Sequence, residues 1–193
     1  MDQDWVDDLH RRIAAAIKHA RGARSAQWLA DETERLGFPI SRAAIANYES
    51  GRKKGLDVAE LLTLAAAMQI PPLALIFPDL PDGPVELLPN VTTTSWDAAA
   101  WFSGEAPSPL SDDETPSPTR EYSLLRAVRE RRAQLASIAQ FHQWLNDIVA
   151  RNKGALKSDD PDMRAFKQQL EKLRDEVASL ESTIRENGGV LDD

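Results

Sequence analysis

Ser41-Arg42-Ala43-Ala44-Ile45-Ala46-Asn47-Tyr48-Glu49-Ser50-Gly51, followed at once by Arg52-Lys53-Lys54, is the stretch from which the rest of this 193-residue chain can be read. Serine is a favoured helix N-cap because its hydroxyl accepts from an N–H that has no partner inside the helix. With Ser41 in that role, helical spacing gathers Ala44, Ile45 and Tyr48 on one face and turns Arg42, Ala43, Ala46 and Asn47 outward. The expectation is a short helix with an apolar back, a nearly bare front and a basic trailer. Such a helix suits a groove of DNA. It equally suits packing on a protein, so the flanking segments decide.

Upstream, Arg24-Ser25-Ala26-Gln27-Trp28-Leu29-Ala30 offers a second N-cap at Ser25 and an inward Leu29-Ala30 pair. The turn between the two helices runs through Leu36-Gly37-Phe38-Pro39-Ile40, where Gly37 supplies a helix stop and Pro39 forbids continuation. Before them, Trp5, Leu9, Ile13, Ala16, Ile17 and Ala20 recur at three- and four-residue spacing and predict an amphipathic first helix. Asp2, Asp4, Asp7 and Asp8 at its start and Arg21 and Arg24 at its end complement the helix dipole. After Asp57, the residues Leu61, Leu62, Leu64, Ala65 and Met68 predict a fourth helix, which Pro71-Pro72 ends. Leu73 to Phe77 reads as a short fifth turn before Pro78.

Residues 5–78, about two fifths of the chain, resemble the helix-turn-helix domain of XRE-type (Cro/C1-like) transcriptional regulators. The marks are Leu29-Ala30 in the second helix, Ser41 opening the third, Ile45 in its core, Asn47-Tyr48-Glu49-Ser50-Gly51 closing it, and the apolar helix after Leu56. The resemblance implies a five-helix, lambda-repressor-like domain over residues 1–80, with double-stranded DNA as partner. It assigns Arg42, Ala43 and Asn47 to base edges in the major groove, where Arg pairs with guanine, Asn with adenine and an Ala methyl with the thymine methyl. It assigns Arg52, Lys53 and Lys54, with Ser25 and Gln27 at the start of the second helix, to backbone phosphate. Glu49 becomes a structural ion-pair residue, with Lys18, His19 or Arg21 as its base. Two features depart from the family pattern. Ala26 stands where many members carry Gln, and the stretch from Ala30 to Ser41 is longer than the compact form.

Net charge is −8, which at first opposes DNA binding, but its distribution removes most of the objection. Residues 1–80 hold ten Lys/Arg and eleven Asp/Glu, residues 81–119 hold seven acids and no Lys or Arg, and residues 120–193 hold thirteen of each. The absence of cysteine rules out disulfides and thiolate chemistry and fits a reducing compartment. With the resemblance, it predicts a cytoplasmic protein, bacterial or phage-encoded. His10, His19 and His142 lack ligand-like spacing, and no apolar run is long enough to span a membrane. Asp159, Asp160 and Asp162 read as a helix start rather than a metal cluster, and no nucleophile–base pair or phosphate-cradling glycine loop is present. The expectation is therefore a non-enzyme without cofactor.

Residues 81–119 read as an acidic linker holding seven of the twelve prolines. One island interrupts it, a short aromatic helix near 95–102 carrying Trp96, Trp101 and Phe102. It either docks on the N-terminal domain or binds a protein partner, and docking is preferred. From residue 120 to the end the chain reads as long helix. Leu124, Val128, Leu135, Ile138, Leu145 and Val149 form a seam that Arg131 and His142 interrupt. Asn152, Gly154 and Pro161 break the pattern, and Met163, Phe166, Leu170, Leu173, Val177, Leu180 and Ile184 form a second seam ended by Asn187-Gly188-Gly189. Either an antiparallel hairpin, doubled between two chains, or a parallel coiled coil of the last helix buries these seams. In the parallel form Glu176 would face Glu181 of the partner, a like-charge contact that favours the hairpin. Oligomerisation is assigned to Leu135, Ile138, Leu145, Leu170, Leu173, Val177, Leu180 and Ile184.

Together these readings predict a sequence-specific, dimeric DNA-binding regulator, a repressor by default. The rival is a coiled-coil interaction or antitoxin-like protein that engages its partner at the aromatic island or the C-terminal hairpin and whose N-terminal domain reads DNA weakly or not at all.

Overall fold

The computed structural model describes residues 3–110, 119–151 and 161–192. These are mostly helical, as the all-α reading expects, with one small two-stranded sheet. The order is α1 (Gln3–Arg21), α2 (Ala26–Arg35), α3 (Arg42–Glu49), α4 (Val58–Met68), α5 (Leu73–Ile76), β1 (Pro84–Leu88), β2 (Val91–Thr94), α6 (Ser95–Phe102), α7 (Arg120–Arg151) and α8 (Pro161–Glu186). The chain forms two compact units, Met1–Pro109 and Leu110–Asp193. Among the described residues no helix is long and apolar enough to cross a membrane.

In the first unit the helix starts follow from their caps. Ser25 Oγ accepts from the Trp28 N–H at 3.0 Å, and Ser41 Oγ accepts from the Ala44 N–H at 3.1 Å. α4 opens on a full capping box: the Glu60 N–H donates to Asp57 at 2.8 Å, and the Asp57 N–H donates to Glu60 at 3.2 Å. Leu29, Ile45, Leu64, Ala65 and Leu75 are wholly buried and join Ile17, Ile40, Tyr48 and Met68 in one core. The long connection between Ala30 and Ser41 is absorbed mainly by α2, which runs on to Arg35. Gly37, at φ +86°, then ends the helix, with the Phe38 N–H donating back to the Thr33 carbonyl at 3.2 Å. The buried Thr33 hydroxyl donates to the Ala30 carbonyl at 2.8 Å and accepts from the Ile40 N–H at 2.9 Å. This one side chain pins the turn that carries the chain into α3.

The linker reading of 81–119 is corrected over most of its described length. Residues 84–94 form an antiparallel hairpin pairing Pro84 with Thr94, Val85 with Thr93, Glu86 with Thr92 and Leu88 with Val91, and the first unit extends to Pro109 rather than ending at 80. The cause is alternation within a polar, proline-punctuated segment. Val85 and Leu87 point inward and close a second small core with Phe77, Ala98 and Ala99. The Trp5 indole donates to the Glu86 carbonyl at 3.2 Å, which ties the hairpin to α1. The Ser95 N–H donates to the Gly83 carbonyl at 2.7 Å, which ties α6 to the start of β1. The acidic, proline-rich run at 111–118 lies outside the described residues.

α7 and α8 form an antiparallel hairpin within one chain. Arg120 donates to the Asn187 carbonyl at 2.8 Å, Arg131 meets Glu181 at 2.7 Å, and Phe141 stacks on Phe166 with centroids 4.0 Å apart. Early residues of α7 thus face late residues of α8. Within the chain α7 covers much of the α8 seam: Phe166, Val177 and Ile184 are buried, and Leu170, Leu173 and Leu180 are half-buried. Arg131, an interruption in the α7 seam, is explained by its reach to Glu181. On α7, Ile138 and Leu145 are half-buried and Leu135 is exposed, so the residues assigned to oligomerisation are partly used inside the protomer. The helix break at Asn152 and Gly154 and the aspartates at 159 and 160 lie outside the described residues, as do the side chains of Val149 and Asp162.

Gly189 tests the hairpin closure. A Cβ there would lie 2.5 Å from Ile184 Cγ2 and 2.8 Å from Leu124 Cδ1. Gly189→Ala is expected to cost about 1–3 kcal/mol by overpacking. Hydrogen exchange should quicken for the amides of α7 and α8 and stay unchanged in α2 and α3.

Candidate nucleic-acid interface

The candidate surface is the front of α3 and the loop that follows it. Ile45 and Tyr48 are buried, Ala44 is half-buried, and Arg42, Ala43, Ala46 and Asn47 are exposed. The helix is therefore amphipathic in the expected sense. Among the described residues, neither the Arg42 guanidinium nor the Asn47 amide is held by another side chain, so both are available to a ligand. Their chemistry is complementary. The guanidinium is a forked donor, and the amide both donates and accepts.

A two-point clamp fixes the far end of α3. Arg21 at the end of α1 donates through Nε to Glu49 Oε1 at 2.6 Å and through Nη2 to Oε2 at 2.8 Å, with side-chain exposures of 15% and 11%. Of the three bases offered for Glu49, Arg21 is the partner, and its hydrogen bond to Glu49 raises the guanidinium pKa above its usual value. The same guanidinium donates to the Arg24 carbonyl, and Arg24 lies over the Trp28 ring with its guanidinium carbon 4.0 Å from the centroid. The start of α2 is thus braced against the end of α1.

The loop from Gly51 to Asp57 folds back on α3, with the Lys53 N–H donating to the Asn47 carbonyl at 3.0 Å. Gly51 and Gly55 hold φ of +71° and +90°, conformations that side chains resist. Lys53 Nζ donates to Glu60 at 2.7 Å and also to the Tyr48 hydroxyl, while that hydroxyl donates to the other Glu60 oxygen. Burial, reinforced by Glu60, pushes the Tyr48 phenol up to about 12. Burial also pushes the Glu60 carboxyl upward, but the hydrogen bonds from Lys53 and Tyr48 outweigh it and leave its pKa below the usual carboxylate value. The hydrogen bond to Glu60 raises the Lys53 ammonium pKa above its usual value. Lys54 Nζ donates to both oxygens of Asp7, at 2.9 and 3.0 Å. Arg52 is exposed and, among the described residues, has no such partner.

These contacts sort the residues assigned to phosphate. Arg52 is open, whereas Lys53 and Lys54 are each held by a carboxylate. Gln27 donates to Asp31 at 2.7 Å, and the Ser25 hydroxyl serves its own helix as cap. The sequence reading missed Asp7 and Glu60 as parts of this surface. Glu60 carried a signal, the Asp57-x-x-Glu60 box, but Asp7 lies 47 residues from Lys54 and carried none. Trp96 is exposed, Trp101 is half-buried beside the second core, and Phe102 meets Phe77 edge-on at 5.9 Å. The aromatic island therefore docks in part within its own unit. Among the described residues no group of three or more metal-ligating side chains is present.

A scan against family models, a search of curated proteins and a search of solved structures each find no match for the chain.

Two predictions test the bracing of α3. Glu49→Ala strands the Arg21 guanidinium and is expected to cost about 1.5–3 kcal/mol in the N-terminal unit, read by denaturant unfolding. Tyr48 ionises with more difficulty in the fold than in the open chain. Its contribution is whole below the ordinary value of 10.0 and is lost as pH rises through about 12. Alkaline titration followed by phenolate absorbance, wild type minus Tyr48→Phe, should show that late ionisation and loss of helicity in parallel.

Proposed function

We propose that this chain is a sequence-specific DNA-binding regulator of the XRE-type helix-turn-helix class, acting as a dimer and by default as a repressor. The observation that carries the reading is the exposed, unengaged Arg42–Asn47 pair on the front of α3. The buried Ile45 and Tyr48 and the Glu49–Arg21 clamp hold it in place. In this reading α2, the Thr33-pinned turn and α3 are the helix-turn-helix, and α3 enters the major groove. Arg42 reads guanine, Asn47 reads adenine and Ala43 touches a thymine methyl. Arg52 supplies the first phosphate contact, and Lys53 serves mainly as a strut for the loop. With so few hydrogen-bonding side chains on the front, DNA shape and half-site spacing supply the remaining specificity.

Dimerisation is assigned to the α7–α8 hairpin. Leu125, Val128 and Leu135 on α7 are 43%, 44% and 39% exposed, share one helical face, and gain from a second copy. Two tethered N-terminal units then address half-sites about one DNA turn apart, roughly 34 Å, or a multiple of it. The rival reading, a coiled-coil interaction or antitoxin-like protein, draws on Trp96 and Phe102 of the aromatic island, which are 56% and 57% exposed.

Arg42→Ala with Asn47→Ala is expected to relax base preference by about 1–3 kcal/mol per position, whereas Arg52→Ala should weaken all sequences alike and lower the salt slope by about 0.9. Anisotropy titrations on a preferred and a scrambled duplex separate the two effects. Equal losses on both duplexes from both variants would contradict the assignment. A fragment ending at Pro109 should sediment as a folded monomer, and a dimeric fragment would remove the C-terminal hairpin from the mechanism.

A further inference from the structure

The two lysines of the loop after α3 are held in different ways. Lys53 belongs to a closed set: Glu60 takes its ammonium, the Tyr48 hydroxyl and the Asp57 N–H, and the loop backbone is tied to Asn47. Opening that set would undo the cap of α4. Lys54 has one side-chain partner, Asp7, and the two side chains are 62% and 31% exposed. An exposed pair of this kind is held weakly and exchanges readily. Among the described residues neither side chain makes another hydrogen bond or ion pair.

We propose that Asp7 is a built-in competitor for DNA phosphate. It occupies Lys54 in the free protein and must be displaced for Lys54 to reach the backbone, so it lowers affinity for all sequences alike. A carboxylate that takes an ammonium through both oxygens presents it with the charge and oxygen acceptors that a phosphodiester offers. The proposal rests on the DNA-binding reading and adds to it a residue of α1 that touches no base and no phosphate.

The consequence for salt dependence is specific. A lysine that moves from solvent to phosphate releases a counterion from the DNA. A lysine that leaves Asp7 for phosphate also exposes a carboxylate, which recruits a cation and cancels part of that release. Removing the Asp7 charge should therefore steepen the plot of log affinity against log salt by up to about 0.9, equivalent to about a threefold gain in affinity at about 50 mM relative to about 200 mM salt. Asp8 supplies the control. It is adjacent in sequence and carries the same charge, but it pairs with Arg11 and not with Lys54.

The test is fluorescence anisotropy of a labelled random-sequence duplex at about 50 and about 200 mM salt, using the full-length chain as wild type, Asp7→Asn, Asp8→Asn, Lys54→Ala and the Asp7→Asn/Lys54→Ala pair. The expected result is tighter binding and a steeper slope for Asp7→Asn than for Asp8→Asn, with that excess lost when Lys54 is absent. Binding by Asp7→Asn where the wild type shows none would support the proposal in its strongest form. If the wild type binds and Asp7→Asn matches Asp8→Asn, the competitor role is overturned and the DNA-binding reading stands. If neither the wild type nor Asp7→Asn binds at the lower salt, the DNA-binding reading falls and the competitor with it.

Discussion

Arg21 and Glu49 stand 28 residues apart and meet through two hydrogen bonds at the junction of α1, α2 and α3. The pair anchors the end of α3, and with it the exposed face of that helix, to α1. The helix has only eight residues, too few to persist alone in water, so its direction comes from what holds its ends. Ser41 and the Thr33-pinned turn hold the first end. The Arg21 fork holds the second, and Ile45 and Tyr48 hold the underside. Arg42 and Asn47 project from a surface with little freedom to tilt, which is the condition for reading the edge of a base pair.

The loop beyond α3 illustrates how charge is apportioned in a unit that holds ten Lys/Arg and fifteen Asp/Glu. Four cations lie at or near the candidate surface, and two of them are occupied from within. Glu60 turns Lys53 into a structural strut, and Asp7 holds Lys54 in a more exposed pair. On the proposed DNA-binding reading, the count of bases therefore overstates the phosphate contacts open at this surface. On the same reading, a tether between two copies would add to binding, because linkage turns the second encounter into an intramolecular one.

The first five helices were legible because their signals are local. Ser25, Ser41 and Asp57 announce helix starts, Gly37 and the Pro71-Pro72 pair announce stops, and apolar spacing marks each buried face. The β-hairpin was not legible. Pro84, Pro89 and the surrounding acids dominate the composition of its segment, and the alternation that matters rests on Val85 and Leu87 alone. Its burial partners, Phe77, Ala98 and Ala99, come from outside the strands, so only tertiary structure gives the pattern meaning. The antiparallel α7–α8 pairing was legible in its seam but not in its detail. Arg131 interrupts the apolar seam in sequence, and only Glu181 opposite it accounts for the interruption. At the candidate site the outward set on α3 was legible, whereas the state of its lysines was not. Whether an ammonium is free depends on a carboxylate distant in sequence, and Asp7 gives no sign of its role in the residues around it.

On the proposed reading α3 reads DNA sequence in a dimer. Selection of binding sites by the full-length protein from random duplex DNA, at about 100 mM salt, tests it most directly. A two-fold-symmetric motif with guanine and adenine among its fixed positions, and half-sites about one turn apart or a multiple of that, is the predicted result. Recovery of no enriched motif, with only weak salt-sensitive binding or none, would contradict it and leave the C-terminal hairpin and the exposed Trp96 as the working parts of the molecule.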